Sequence, residues 1–139
     1  MDGNRFITWL LRSPLHGLLS YGTMLLTVRG RKSGKPYSTP VDYYEEDGFI
    51  WVLSNRDRSW WRNLQEGANV EILLKGKSVH GFAELELDEK KVEMQLVKYL
   101  QHKPYTAKPL GIQIKNKTPN PEDVSRVAKD KLFVKIQRV

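Results

Sequence analysis

Apolar positions change period several times along the chain, and each change marks an element. From Asn4 to Ser20, Phe6, Trp9, Leu10 and Leu11 fall at helical spacing, and Ser13-Pro14 would cap and restart a helix. Thr23 to Val28 is a short apolar run ended by a basic turn, and the β-favouring stretch Tyr37 to Tyr44 after it completes a hairpin. Asp47-Gly48 is a strong turn signal that makes Phe49 to Leu53 a third antiparallel strand. Arg58 to Gln65 carries Trp60, Trp61 and Leu64 and stops at Gly67, as a short helix with a glycine cap does. Neighbours on a helix point about 100° apart, so the two tryptophans are expected to face different ways.

Two further strands, Asn69 to Leu74 and Lys77 to Leu87, flank Lys75-Gly76, and the second alternates Val79, Gly81, Ala83, Leu85 and Leu87 with mostly polar residues. Asp88 caps a helix running to His102 with Val92, Leu96, Tyr99 and Leu100 on one face. Residues 103–120 hold Pro104, Pro109, Gly111 and Pro119, so a long loop is expected there, with a flap as one role. Asn120-Pro121 opens a helix through Lys129, and Leu132 to Gln137 is the last strand. Six short strands joined mostly by tight turns predict a mainly β fold with helices (α+β), a closed six-stranded antiparallel barrel with flanking helices. A chain of 139 residues suits a single domain over 1–139 built on one core.

Composition narrows the chemistry. Without cysteine there are no disulfides, thiolate metal sites or thiol nucleophiles, and a reducing cytoplasm is the expected setting. The apolar run Phe6 to Leu19 is interrupted by Arg12, Pro14, His16 and Gly17, too broken for a spanning helix, and no small-residue cleavage site follows it. Net charge is +7, and residues 3–41 contain Arg5, Arg12, Arg29, Arg31, Lys32 and Lys35 without one acid. That half should attract anions.

The turn Arg29-Gly-Arg-Lys-Ser-Gly-Lys35 brings cations, glycines and a hydroxyl together between two strands. Glycines let backbone N–H groups face an oxyanion while Arg and Lys supply charge, so a phosphate would fit; a solvated basic hairpin is the plain alternative. It is not a nucleotide-triphosphate loop, which needs a strand, a longer glycine-rich loop and a helix. Trp60 or Trp61 could wall a flat ring or simply cover a barrel end, and Asn63 could cap the helix or anchor a ligand. His16, His80 and His102 are scattered, which disfavours a metal site, and no carboxylate pair or nucleophile stands out. Such a chain is either not an enzyme or one whose chemistry belongs to a cofactor.

In order, Leu25-Leu-Thr-Val-Arg-Gly-Arg-Lys-Ser-Gly34, Thr39-Pro-Val41, Val52-Leu-Ser54 and Ser59-Trp-Trp-Arg-Asn-Leu64 resemble the deazaflavin-dependent nitroreductase family. These are flavin/deazaflavin oxidoreductases with the FMN-binding split β-barrel of pyridoxamine-phosphate oxidase. The likeness spans about residues 4–87. It implies binding of coenzyme F-420, a deazaflavin with a polyanionic phosphate-bearing tail, and hydride transfer from the reduced ring to a small organic acceptor: a nitro compound, a quinone or an activated double bond.

Carried over by position, Arg31, Lys32, Ser33 and Gly34 would hold the phosphate beside Tyr37. Pro40, Val41 and the backbone around Val52, Leu53, Ser54 and Asn55 would line the ring, closed by Trp60 and Asn63, with Trp9 and Tyr105 near the substrate. Tyr37 and Asn55 stand where relatives often carry basic residues, and Arg56 or Arg58 could substitute. FMN is the alternative cofactor, buried in such barrels at a homodimer interface, so monomer and homodimer are both open. From another class, Trp60, Trp61, Tyr43 and Tyr44 beside the basic turn could stack single-stranded nucleic acid, although a small-molecule partner rather than nucleic acid is expected. A weak membrane-surface contact through Arg5, Arg12 and the apolar residues between them is the last reading.

Overall fold

The computed structural model describes residues 23–139. The expected N-terminal helix over residues 4–20, and Trp9 with it, lie outside the described residues.

Six strands close an antiparallel barrel: β1 (Thr23–Arg29), β2 (Pro36–Glu46), β3 (Phe49–Asn55), β4 (Ala68–Leu74), β5 (Lys77–Glu86) and β8 (Lys131–Arg138), in the order β1-β2-β3-β8-β5-β4. The expected hairpins are present with their turn chemistry. Asp47-Gly48 and Lys75-Gly76 both hold left-handed backbone at each position, which matches the twist of the flanking strands. The last strand lies between β3 and β5, pairing Asn55 with Lys131 at one end and Gly81 with Arg138 at the other. That long-range pairing closes the barrel.

Helix α1 (Glu89–His102) starts on Asp88, whose carboxylate accepts the Lys91 N–H at 3.1 Å, and buries Val92, Leu96, Tyr99 and Leu100. Residues 103–120 are more ordered than a loop: a 3-10 turn (Pro104–Thr106), a one-turn helix α2 (Ala107–Leu110) closed by left-handed Gly111, and a small hairpin of β6 (Ile114–Lys115) and β7 (Thr118–Pro119). Asn116 and Lys117 both take positive φ at its tip, a conformation no proline or glycine signal announced. Helix α3 (Pro121–Ala128) opens as expected, with the Asn120 side chain accepting the Asp123 N–H at 3.1 Å.

The single core expected from chain length is two apolar clusters sharing strands. One fills the barrel with Met24, Leu26, Ile50, Val52, Ile72, Val134 and Ile136. The other lies between the barrel wall and the helices: Tyr44, Val92, Leu96, Tyr99, Leu100, Val124, Ala128 and Phe133. Strand β8 is buried on both faces because it alternates between them, Leu132, Val134 and Ile136 inward and Phe133 outward.

Both tryptophans of the 3-10 turn Trp60–Leu64 are buried, at 9 % and 7 % exposure, against the expectation that one would look elsewhere. The turn caps the open barrel end, so its whole lower side is core. Trp61 donates its ring N–H to the Arg56 carbonyl at 3.3 Å and lies under the Arg62 guanidinium.

Candidate functional site

The basic turn fastens itself. Gly30 N–H donates to the Lys35 carbonyl and Gly34 N–H to the Gly30 carbonyl, both at 2.9 Å, with Gly34 in the left-handed region. Arg29 donates to the Gly34 carbonyl at 3.1 Å and Lys35 N–H to the Ser33 hydroxyl at 3.2 Å. The glycine amides expected to face an oxyanion are therefore spent inside the turn.

Asn63 ties this turn to the barrel cap. Its Oδ1 accepts the Arg31 N–H at 3.0 Å while its Nδ2 donates to the Trp60 carbonyl at 3.0 Å. The Arg31 guanidinium in turn donates to Gln65 Oε1 at 2.7 Å. Asn63 thus clamps the basic turn to the barrel end, while the caps of its own 3-10 turn are Ser59 and Gln65. Asn63→Ala removes both bonds at a half-buried position, at about 0.5–1.5 kcal/mol each. The melting temperature in a thermal unfolding scan should fall by several degrees. An unchanged midpoint would mean the clamp is not holding the turn.

Beside the turn is a cleft of about 350 Å³ lined by Gly30, Ser33, Lys35, Pro36, Tyr37, Ser59, Trp60 and Asn63. Of the residues expected at the phosphate, Ser33 and Tyr37 line it; Arg31, Lys32 and Gly34 do not, and Lys35 is the cation that does.

A second cleft, about 450 Å³, also has Trp60 in its lining. Pro40 and Val41 from β2, Leu53, Ser54 and Asn55 from β3, and Tyr105 from the 3-10 turn after α1 all line it, as the sequence led one to expect. The Val52 side chain does not: it is fully buried in the barrel core. Sequence reasoning missed Thr39, Asp42, Tyr99, Thr106, Pro109, Leu110 and Lys131 in this cleft. Of the two substitutes for a missing basic residue, Arg58 lines the cleft. Arg56 instead staples strand ends, donating to the Lys131 carbonyl at 2.8 Å and the Leu87 carbonyl at 2.6 Å.

Trp60 lines both clefts, which makes them neighbours. One side presents Lys35 and the Ser33 hydroxyl. The other mixes apolar Pro40, Val41, Leu53, Pro109 and Leu110 with polar Ser54, Asn55, Thr106, Arg58 and Lys131, the composition of a pocket for a ring with a few fixed polar contacts. Burial raises the Tyr99 phenol far above its ordinary pKa, with smaller contributions from Asp42, Tyr105 and Tyr44, so it stays neutral. Burial lowers the Lys131 ammonium, against the attraction of Asp130 and Asp57.

Tyr43 and Tyr44 are each 5 % exposed, so neither phenol presents a free face for a stacked base. Among the described residues no cluster of His, Asp or Glu could hold a metal ion, and no helix is long and apolar enough to cross a membrane.

A closed antiparallel barrel carries two clefts that share Trp60 in their linings, one holding Lys35 and the other mixing polar and apolar side chains. The chain belongs to the F420H(2)-dependent quinone reductase family, whose profile matches residues 14–114. With that membership the expected enzyme class and cofactor, coenzyme F-420, hold. The residues present fit such a cofactor, since the basic cleft suits a phosphate and the adjoining cleft has the size range of ligand pockets.

Solved structures share the fold at low identity. An F420-H2 dependent reductase (FDR-A) aligns with a TM-score of 0.54 and 21 % identity over 83 % of this chain and 94 % of its own. A conserved hypothetical protein from Mycobacterium tuberculosis gives 0.59 and 16 % over 99 % and 81 %. A putative pyridoxamine 5'-phosphate oxidase from Listeria innocua gives 0.55 and 13 % over 96 % and 91 %. No curated protein sequence matches the chain.

Proposed function

We propose that the chain binds reduced coenzyme F-420 across Trp60, its phosphate at Ser33 and Lys35 and its deazaflavin ring against Pro40, Val41 and Leu53 to Asn55, and reduces a small quinone-type acceptor beside that ring. The observation that carries this reading is the indole shared by the two clefts, which a ligand with an anionic tail and a flat head would span. When bound, the cofactor supplies hydride for a two-electron reduction. The protein supplies the rest: Lys35 charge for the tail, Trp60 a wall between tail and head, and the apolar side chains an environment that keeps water from the reacting face.

Tyr105, at the cleft mouth and 69 % exposed, together with Leu110, offers the contact surface for the acceptor. The family's named substrate supports a quinone ahead of a nitro compound or an activated alkene. Anaerobic mixing with reduced F-420 and a naphthoquinone, a nitroarene or an enone, followed by the return of oxidised deazaflavin absorbance, checks this. The naphthoquinone should turn over fastest; a nitroarene faster by an order of magnitude would overturn the acceptor assignment.

A further inference from the structure

Lys131 reaches both the ring cleft and the cavity next to it. It opens β8 directly across from Asn55, the last residue of β3, and its ammonium donates a hydrogen bond to the Asn55 side-chain oxygen. Lys131, Asn55, Pro109 and Leu110 line the ring cleft and also an adjoining cavity of about 750 Å³. The backbone beneath the lysine is pinned as well. Arg56 Nε donates to the Lys131 carbonyl at 2.8 Å, and Arg56 N–H donates to the Asp130 carbonyl at 2.9 Å. An ammonium carried on a paired strand and oriented by a neighbouring amide is held more closely than one on a loop.

Among the cleft's other polar groups, none is as well suited to surrender a proton. Arg58 keeps its proton at any working pH. Tyr99 is buried, and burial makes its phenol a weaker acid. Tyr105 stands mostly in solvent at the mouth. Asp42 serves as an acceptor, taking the Thr23 hydroxyl at 3.0 Å. Lys131 is half-buried, and desolvation shifts its ammonium toward easier loss of a proton.

We propose that Lys131 is the acid that protonates the acceptor's oxygen as the acceptor takes up hydride, with Asn55 positioning it, an assignment that rests on the ring cleft being the redox site. The quinone gains a hydride, two electrons and one proton, from the reduced cofactor, which is oxidised. An Nζ–H bond of Lys131 breaks as an O–H bond of the hydroquinone forms, leaving a neutral amine. Solvent restores that proton and takes up the one shed by the oxidised cofactor, so the exchange balances. Turnover is then present while Lys131 is charged and is lost as pH rises through its pKa. Asp130 and Asp57 favour the charged form, the Asn55 oxygen favours it too, and Arg56, Arg58 and Arg126, which line the same two cavities, oppose it.

The test compares wild type with Lys131→Arg, Lys131→Met and Asn55→Ala. Arginine keeps the charge but withholds the proton, so both Lys131 variants should lose about 100-fold in kcat, with KM for a naphthoquinone within a few-fold and the basic limb of the kcat profile gone. An NMR titration of carbon-labelled lysines in the cofactor-free chain gives a readout independent of turnover. Lys131 should titrate below the ordinary lysine value of about 10.4, and Asn55→Ala should move that midpoint and the basic limb of the profile lower together. Wild-type kcat in both Lys131 variants, with F-420 affinity retained, would overturn the proton-donor role alone. Failure of the wild-type chain to bind F-420 would overturn the reading of the cleft and this role with it.

Discussion

Lys35→Glu should weaken F-420 binding by about two orders of magnitude. A charge-assisted contact to phosphate contributes about 1.5–3 kcal/mol, and each 1.4 kcal/mol is tenfold in affinity. Lys35 is exposed, which places its own contact at the lower end of that range, and reversal adds repulsion that simple removal would not. Lys35→Ala should therefore lose about tenfold, and the loss should shrink as salt is raised. Lys32→Ala, a change outside the cleft, should lose little. A deazaflavin fragment without the phosphate tail should bind wild type and Lys35→Glu alike. Equal loss for that fragment would place the effect in the fold rather than at the phosphate.

Phe133→Ala should cost about 3–5 kcal/mol of stability, the range for emptying a buried aromatic site. The ring is fully buried in the outer cluster, edge-on to Trp51 at 6.2 Å and tilted against Tyr99 at 6.0 Å, so its removal leaves a hole between barrel and helices. Typical domains are stable by about 5–15 kcal/mol, so chemical denaturation should find a large fraction of the total gone. Tyr99 also lines the ring cleft, and its support would loosen with Phe133. Stability within about 1 kcal/mol of wild type would mean that α1 and α3 repack over the gap.

Local signals carried most of the fold. Asp47-Gly48 and Lys75-Gly76 specified their hairpins, Asp88 and Asn120 their helix starts, and alternation along β3 and β5 the faces of those strands. The places that misled are those where tertiary packing overrides local periodicity. A 3-10 turn seated over a barrel end buries Trp60 and Trp61 together, because everything beneath it is core. Val52 packs into the barrel core, although its neighbours Leu53 to Asn55 line the cleft.

The candidate site was legible where short motifs carry it. Pro40, Val41, Leu53, Ser54, Asn55, Trp60 and Tyr105 were named from sequence and meet in the ring cleft. Lys131 was not, because its place across from Asn55 comes from the long-range pairing of β3 with β8, which no short pattern encodes. Tyr99 was legible as core but not as cleft lining, since it serves as both. In the basic turn, composition identified the charge but not which cation faces the cleft; the internal bonds to Gly30, Gly34 and Asn63 decide that.

The central claim is that one ligand, coenzyme F-420, spans the two clefts that meet at Trp60. Equilibrium titration of the wild-type chain with F-420, with its phosphate-free deazaflavin fragment and with FMN, each followed by the ligand's own absorbance and fluorescence, tests it most directly. Saturable binding of F-420 should be about tenfold or more tighter than that of the fragment, and FMN should fail to displace it. Tight FMN binding with no binding of F-420 would contradict the account.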